Sequence, residues 1–405
     1  MTESVSLYET RDVCRACGND HINFPIKFDE LPLAGTYVEA HERGSEPSLP
    51  MHVGICERCG FVQLREVVLP EVYTGYRFVG TASSGYRGYL DALAEELVER
   101  HGLKGKRVVE LGSSNGYLLG LLRDRGQNEV FGYEPSHELR VSSQEAGLQV
   151  TGSFFGPDTT GELPFGGVDA VVVRHVLEHI DDIDGFIGAI SDVVPAGGLL
   201  VIEVPDLDSI LERKNYFHFY HEHLSYFTAA SLSSLVQRHG FNVTGQKVVE
   251  IHGGSLLVFC EREGSDPGAA QQSDVAAAIN HFTTFADGLS VYLDSLAKFI
   301  GEAGASGARV AGYGAAQRTT NACGMAGLGQ EHIEYLVDKN EHIQGYYTPG
   351  AHLLIDVPDR LRKAAPDIIV LFASSFEQEI MQELGAWAED GGQFISLHPT
   401  PRFIQ

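Results

Sequence analysis

The sequence predicts an α/β protein of three parts: a small cysteine-bearing module, a parallel α/β unit and a second α/β unit. Three observations carry this prediction. Two Cys-x-x-Cys pairs stand near the N-terminus, and two separate segments read as strand, glycine turn and helix, at Arg107–Tyr117 and at Arg309–Gln317. At 405 residues the chain also exceeds the roughly 250–300 residues at which a single core stops growing. The boundaries are drawn at 1–75, 76–265 and 266–405.

Apolar residues make up 43% of the chain and charged residues 21%, the balance of a globular protein rather than a disordered one. The formal charge of −26, from 29 basic and 55 acidic residues, repels a polyphosphate backbone and argues against nucleic acid as a partner. Any anionic small molecule must then be held by local backbone N–H groups and a few placed Arg or Lys. No apolar run approaches the ~20 residues of a membrane span, and Arg11, Asp12 and Arg15 break any signal-peptide core. A cytoplasmic protein without a membrane partner is expected; monomer and homodimer both stay open.

Of six cysteines, four form Cys14-Arg-Ala-Cys17-Gly and Cys56-Glu-Arg-Cys59-Gly. Each Cys-x-x-Cys turn sets two thiolates on one side of a knuckle, and two knuckles complete a tetrahedron around zinc. Disulfides are the competing reading, but they fit poorly with a cytoplasmic chain. Four sulfur ligands leave no open position for water, so the Zn2+ is expected to be structural. A bare zinc ribbon could also bind nucleic acid or protein, yet Asp12, Asp20, Asp29, Glu30, Glu39 and Glu42 make its surroundings acidic.

In the middle unit, Arg107–Leu111 reads as a strand that runs into Gly112-Ser-Ser-Asn-Gly116 and a helix beginning at Tyr117. Further strands are expected at Glu129–Tyr133, Val168–Val173 and Leu199–Val204, followed by a hairpin of Phe241–Glu250 and Ser255–Glu261. From Gly264 to about Gly304 an Ala-rich helix with Phe282, Phe285 and Leu289 on one face is read as a connector. The last unit adds strands at Ile333–Val337, Ile368–Phe372 and Phe394–Leu397.

A ligand of such a sheet lies beyond the carboxyl ends of its strands. Glu110, Gly112, Ser114, Asn115 and Gly116 form the glycine turn there, and Glu134 with Pro135 closes the next strand, where a carboxylate can accept both hydroxyls of an adenosine ribose. The dinucleotide G-x-G-x-x-G spacing is absent, and the hairpin after the fifth strand fits a methyltransferase better than a dehydrogenase. Arg174-His175-Val-Leu-Glu178-His179 resembles the segment after the fourth strand in class I methyltransferases. His175 is assigned to the cofactor side, and His179 to scaffolding or to catalysis.

Between Asn215 and Phe227 stand three His, three Tyr and a Glu in thirteen residues. An aromatic loop packed under a sheet and a second metal site are the alternatives; acid–base chemistry is preferred, because a methyl acceptor must meet the cofactor here. Carbon methylation needs a base and donors for the developing enolate, which His and Tyr supply.

Together these features resemble the nucleotide-sugar C-methyltransferases, whose C-3 enzymes act on 4-keto-deoxysugars. The likeness spans nearly the whole chain and includes Gly312-Tyr-Gly314-Ala-Ala and Val337-Asp-Lys-Asn340. It implies S-adenosylmethionine as cofactor, a nucleotide sugar as substrate, and Tyr220, Glu222, His223, Tyr76 and His179 as catalytic residues. His223 would take the proton α to the ketone, Tyr220 and Tyr76 would hydrogen-bond the enolate, and Glu222 would orient the His223 ring. The sequence departs from the family pattern at Asn115, where an aspartate is common, and at Arg174, where Asn is common.

Arg174 is read as a surface salt bridge or as a contact to an anionic substrate. Arg318, Lys339 and the turn from His252 through Gly253 and Gly254 to Ser255 are the phosphate candidates, with a helix cap or a tight turn as the alternative. A degenerate Rossmann-like C-terminal domain without NAD is expected, because Gly312-x-Gly314-x-x-Gln317 lacks the third small residue. Methyl transfer to oxygen or nitrogen of a non-sugar molecule, and a non-catalytic zinc protein that keeps the fold, are the rival functions.

Overall fold

The computed structural model describes residues 7–69, 84–263 and 274–404. The central sheet has seven strands in the order Phe241–Val249, Ser255–Arg262, Leu199–Pro205, Ala170–Arg174, Arg107–Leu111, Glu129–Tyr133 and Val150–Thr151. Its strands are parallel except Ser255–Arg262, which runs antiparallel to both neighbours. That inserted antiparallel strand is the class I methyltransferase order. Four of its strands are almost wholly apolar because helices cover both faces. The exceptions are three buried charges, Glu110, Arg174 and Glu203, of which Glu203 is fully buried within Leu199–Pro205.

The C-terminal sheet has six strands in the order Ile355–Asp356, Tyr335–Val337, Val310–Tyr313, Ile368–Leu371, Gln393–Ser396 and Arg402–Ile404. The first five are parallel and the last antiparallel. Its order reverses beside Val310–Tyr313, where ligands bind in open α/β sheets. The two-residue strand Ile355–Asp356 and the edge strand Arg402–Ile404 are too short to leave a periodic signal and were not anticipated.

The N-terminal module carries a four-stranded sheet of Ile22–Pro32, Ser48–Cys56, Val62–Leu64 and Ser225–Tyr226. Its last strand comes from the segment expected to belong to the middle unit, with Ser225 opposite Gln63 and Tyr226 opposite Val62. On another side the module touches the C-terminal unit: the Tyr37 hydroxyl donates to Ala315 O at 2.9 Å, and Val38 bridges Tyr347.

The expected connector is two helices, Val275–Asp287 and Leu289–Ala305, meeting at Gly288. A Cβ at Gly288 would lie 2.7 Å from the Tyr216 hydroxyl, so a side chain is excluded there. These helices do more than connect. Phe282 and Phe285 pack against Phe219, at centroid distances of 6.3 and 5.7 Å, and Tyr216 stacks on Phe285 at 4.3 Å. They form the floor under the His- and Tyr-rich loop. Among the described residues no helix is long and apolar enough to cross a membrane.

Phe219 is 1% exposed and also packs on Tyr226. Phe219→Ala should cost about 3–5 kcal/mol in urea unfolding; a loss under ~1 kcal/mol would show that this floor does not support the loop.

Candidate active site and zinc centre

Cys14 and Cys59 place their Sγ atoms 3.6 Å apart, and Cys17 and Cys56 theirs 3.7 Å apart. All four fall within 4.8 Å of one another. Tetrahedral zinc with bonds of about 2.3 Å sets sulfur atoms about 3.8 Å apart, so the donor set and the geometry both fit. Gly18 and Gly60, at φ +69° and +72°, turn their N–H groups back onto Cys14 O and Cys56 O. Between the two cysteines of the first knuckle, Arg15 has a buried side chain that reaches out of the module. Its Nε donates to Asp181 at 2.9 Å, and Arg11 donates to the same carboxylate at 2.6 Å. Asp181 lies two residues beyond His179.

In the glycine turn, Gly112 and Gly116 take φ of +72° and +76°. A Cβ would meet Val176 and Leu148 respectively, each at 2.4 Å. Glu134 closes the turn: one of its oxygens accepts Ser114 N–H and the other Ser136 N–H, both at 2.8 Å. Each carboxylate oxygen keeps a second lone pair, so a ribose diol can still be accepted. Glu110 is wholly buried with Oε2 unpartnered, and burial pushes its carboxyl up to about 8. Asn115 Oδ1 lies 3.4 Å from Tyr117 N, and Pro135 lies between Glu134 and Ser136, whose N–H donates back to Glu134. An open-mouthed glycine turn, a tethered carboxylate and an orphaned buried acid suit S-adenosylmethionine.

Arg174 is not on the surface. It is buried, with Nε donating to Glu203 at 2.6 Å and Nη2 to the Tyr86 hydroxyl at 2.8 Å. The surface salt bridge expected for it is therefore an internal pair, set at the head of the glycine turn. His175, at φ +51°, lies 3.3 Å from Glu178 and 3.4 Å from Glu203. Burial disfavours its cation, but these two carboxylates raise His175 to about 9. Burial alone would raise Glu203; Arg174 and His175 instead hold it well below the usual carboxylate range. The sequence signal for this network was Glu203 itself, a charge in an otherwise apolar strand.

In the His- and Tyr-rich loop, His223 Nε2 lies 2.7 Å from the Tyr220 hydroxyl, while its Nδ1 is buried without a partner. Burial, and then the nearby His179, keep His223 well below the ordinary histidine range and hence neutral. His179 packs edge-on to it at 4.9 Å and bonds through Nδ1 to Glu222 O at 2.8 Å. Tyr220 and His223 are thus brought together with His179. Glu222 is different: its side chain bonds Gln317, and its Oε1 faces Gly35. Since His223 Nδ1 has no partner, the Glu222 carboxylate does not orient that ring. Tyr76 lies outside the described residues.

Arg318 Nη1 lies 3.0 Å from His218 Nε2. His252 and His398 join it; burial first, and Arg318 among the nearby cations, lower them to about 3 and about 4. Burial, then Arg318, likewise keep His218 neutral. Arg318 is the second residue of helix Gln317–Ala326, whose N-cap residue Ala316 supplies no side-chain cap. The other two phosphate candidates have partners of their own. Ser255 is fully buried at the start of strand Ser255–Arg262, with its hydroxyl donating to Ile251 O. Lys339 is bound by Glu379 at 3.1 Å and Glu383 at 2.8 Å on an exposed face. His218 and His398 acquired no role from the sequence, because only the fold brings residues 218, 252, 318 and 398 together.

The arrangement defines an S-adenosylmethionine-dependent methyltransferase stapled by a zinc site. Family models agree: "Putative zinc binding domain" matches residues 14–73, "Methyltransferase domain" 85–246 and "C-methyltransferase C-terminal domain" 250–399. The C-methyltransferase NovU of Streptomyces niveus is 31% identical over 97% of both chains, and the present chain belongs to that C-methyltransferase family. A tRNA U34 carboxymethyltransferase of Dichelobacter nodosus is 30% identical over 26% of this chain and 35% of its own. The magnesium protoporphyrin IX methyltransferase structure from Synechocystis aligns over 44% of this chain and 80% of its own, at 16% identity and a TM-score of 0.35. Membership in that family sets aside both the non-catalytic reading and transfer to oxygen or nitrogen.

Two outcomes follow. Removing zinc with a chelator should abolish methyl transfer while sparing most far-UV circular dichroism, and an active metal-free protein would contradict the coupling. Because folding raises the pKa of His175, its contribution to stability is complete below about 6.5 and is lost as pH rises toward about 9. His175→Gln should therefore flatten the stability profile across that window; an unchanged slope in urea unfolding would remove His175 as its source.

Proposed function

We propose that the protein methylates the carbon α to the ketone of a nucleotide-linked 4-keto-deoxysugar, at C-3, by way of an enolate. The observation that carries this reading is the pairing of a half-buried Tyr220 with the buried His223, 2.7 Å apart, with His223 Nδ1 unpartnered. S-adenosylmethionine, when bound, supplies an electrophilic methyl group. If His223 donates Nε2–H to the Tyr220 oxygen, Nδ1 keeps its lone pair and takes the carbon-bound proton.

Burial leaves His223 a weak base, so the oxyanion it creates needs strong stabilisation. Tyr220 and, from its family position, Tyr76 are the assigned donors. Arg318 sets a cation within electrostatic reach of Tyr220. The Arg318, His218 and His252 cluster, with the Gly253 turn against it, is the assigned neighbour of the diphosphate. It answers the local need created by a net charge of −26. The cofactor is assigned to Glu110, Gly112, Ser114, Asn115, Gly116 and Glu134, with Arg174 and His175 beneath it. Glu222 is a positioning residue at the junction with Gln317 rather than a partner of the base. Six unpaired cysteines fit a reducing compartment such as the cytoplasm.

His223→Gln should lower kcat by at least about 10²-fold while leaving S-adenosylhomocysteine affinity, measured by calorimetry, within about twofold, a change of only ~0.4 kcal/mol. Near-normal turnover in the variant would remove His223 as the base.

A further inference from the structure

A second cluster of ligating atoms lies apart from the thiolates. Glu178, His179 and His223 each bring one such atom to within 4.8 Å of the others. All three present unused lone pairs. Glu178 is 1% exposed and neither of its oxygens accepts a hydrogen bond, although His175 Nδ1 lies 3.3 Å from one of them. His179 must donate from Nδ1, since the Glu222 carbonyl can only accept, and this leaves Nε2 as the acceptor nitrogen of a neutral ring. His223 is engaged through Nε2, and its buried Nδ1 has no partner.

An imidazole tied through one nitrogen to a backbone carbonyl is the usual posture of a metal-bound histidine. Two imidazoles and one carboxylate suit first-row divalent ions and leave coordination positions open. We propose that Glu178, His179 and His223 form a second metal site, which takes Zn2+ or Co2+ through nitrogen and oxygen alone. Bonds of about 2.1 Å at tetrahedral angles set such ligands about 3.4 Å apart, so binding draws the three side chains inward by rotation. The site itself does not depend on the proposed substrate or on His223 as base. Its consequence does: an ion here holds the lone pair that proton abstraction requires, so occupancy and turnover exclude one another.

The test is zinc stoichiometry by equilibrium dialysis and metal analysis, on the full chain without an affinity tag, at micromolar free zinc. The wild type should hold two equivalents, and His179→Ala and Glu178→Gln one each, the remaining equivalent reporting an intact thiolate site. A cobalt-loaded second site should show weak visible bands without thiolate charge transfer. A single equivalent in the wild type, or two retained in either variant, overturns the proposal; the second outcome would move the ion to another cluster, such as His218, His252 and His398. Loss of turnover on adding zinc bears only on the consequence, so the two readings fail separately.

Discussion

Four thiolates that need one shared cation are the constraint on which the rest of this site depends. Gln63 and Arg15 already tie the first knuckle to the strand after the second, and a zinc ion shared by Cys14, Cys17, Cys56 and Cys59 would make that ribbon a rigid clamp. One arm of the clamp is Arg15, which holds Asp181 two residues beyond His179. The other is strand Val62–Leu64, which pairs with Ser225–Tyr226 two residues beyond His223. The thiolates stand apart from both histidines, yet one ion pair and one short strand pairing tie the module to the segments that carry His179 and His223, whose rings meet edge-on at 4.9 Å.

Charge is arranged on two scales. The molecule as a whole is strongly acidic, but Arg174, His175 and Arg318 are set among Glu203, Glu178 and Glu110, whose carboxyl burial pushes up. Arg174 and Glu203 neutralise one another, and such a buried pair is costly to break. It sets a firm base for the glycine turn. Arg318 is surrounded instead by histidines that burial keeps neutral, so no carboxylate neutralises its charge among those neighbours. The acidic exterior and the cationic interior together favour an anion that is recognised at a few points rather than one held by long-range attraction.

Much of this was legible in the sequence, because parallel strands buried on both faces leave continuous apolar runs. The central strands fall within a residue or two of their expected bounds, and the thiolate spacing identified the metal centre directly. What escaped was long-range. Nothing near residue 225 marks it as the edge of a sheet built mostly before residue 65. Arg174 looked like a surface charge because its partner, Glu203, is 29 positions away. Sequence adjacency misled at Glu222: its neighbour His223 turns to the Tyr220 hydroxyl while its own carboxylate turns to Gln317 in the C-terminal unit. Ser255 and Lys339 have the chemistry of phosphate ligands but have other partners already.

Carbon is the acceptor atom in this family, and the bond formed is the most direct measure of that. With S-adenosylmethionine labelled with carbon-13 in the methyl group and a nucleotide-linked 4-keto-deoxysugar, carbon NMR of the product should show the label at the shift of a carbon-bound methyl. In the product the methyl group should stand where the abstracted C-3 proton was, and in deuterated water that proton should exchange only in substrate that has not yet been methylated. A label at the shift of a methoxyl group would contradict the enolate chemistry assigned to Tyr220 and His223.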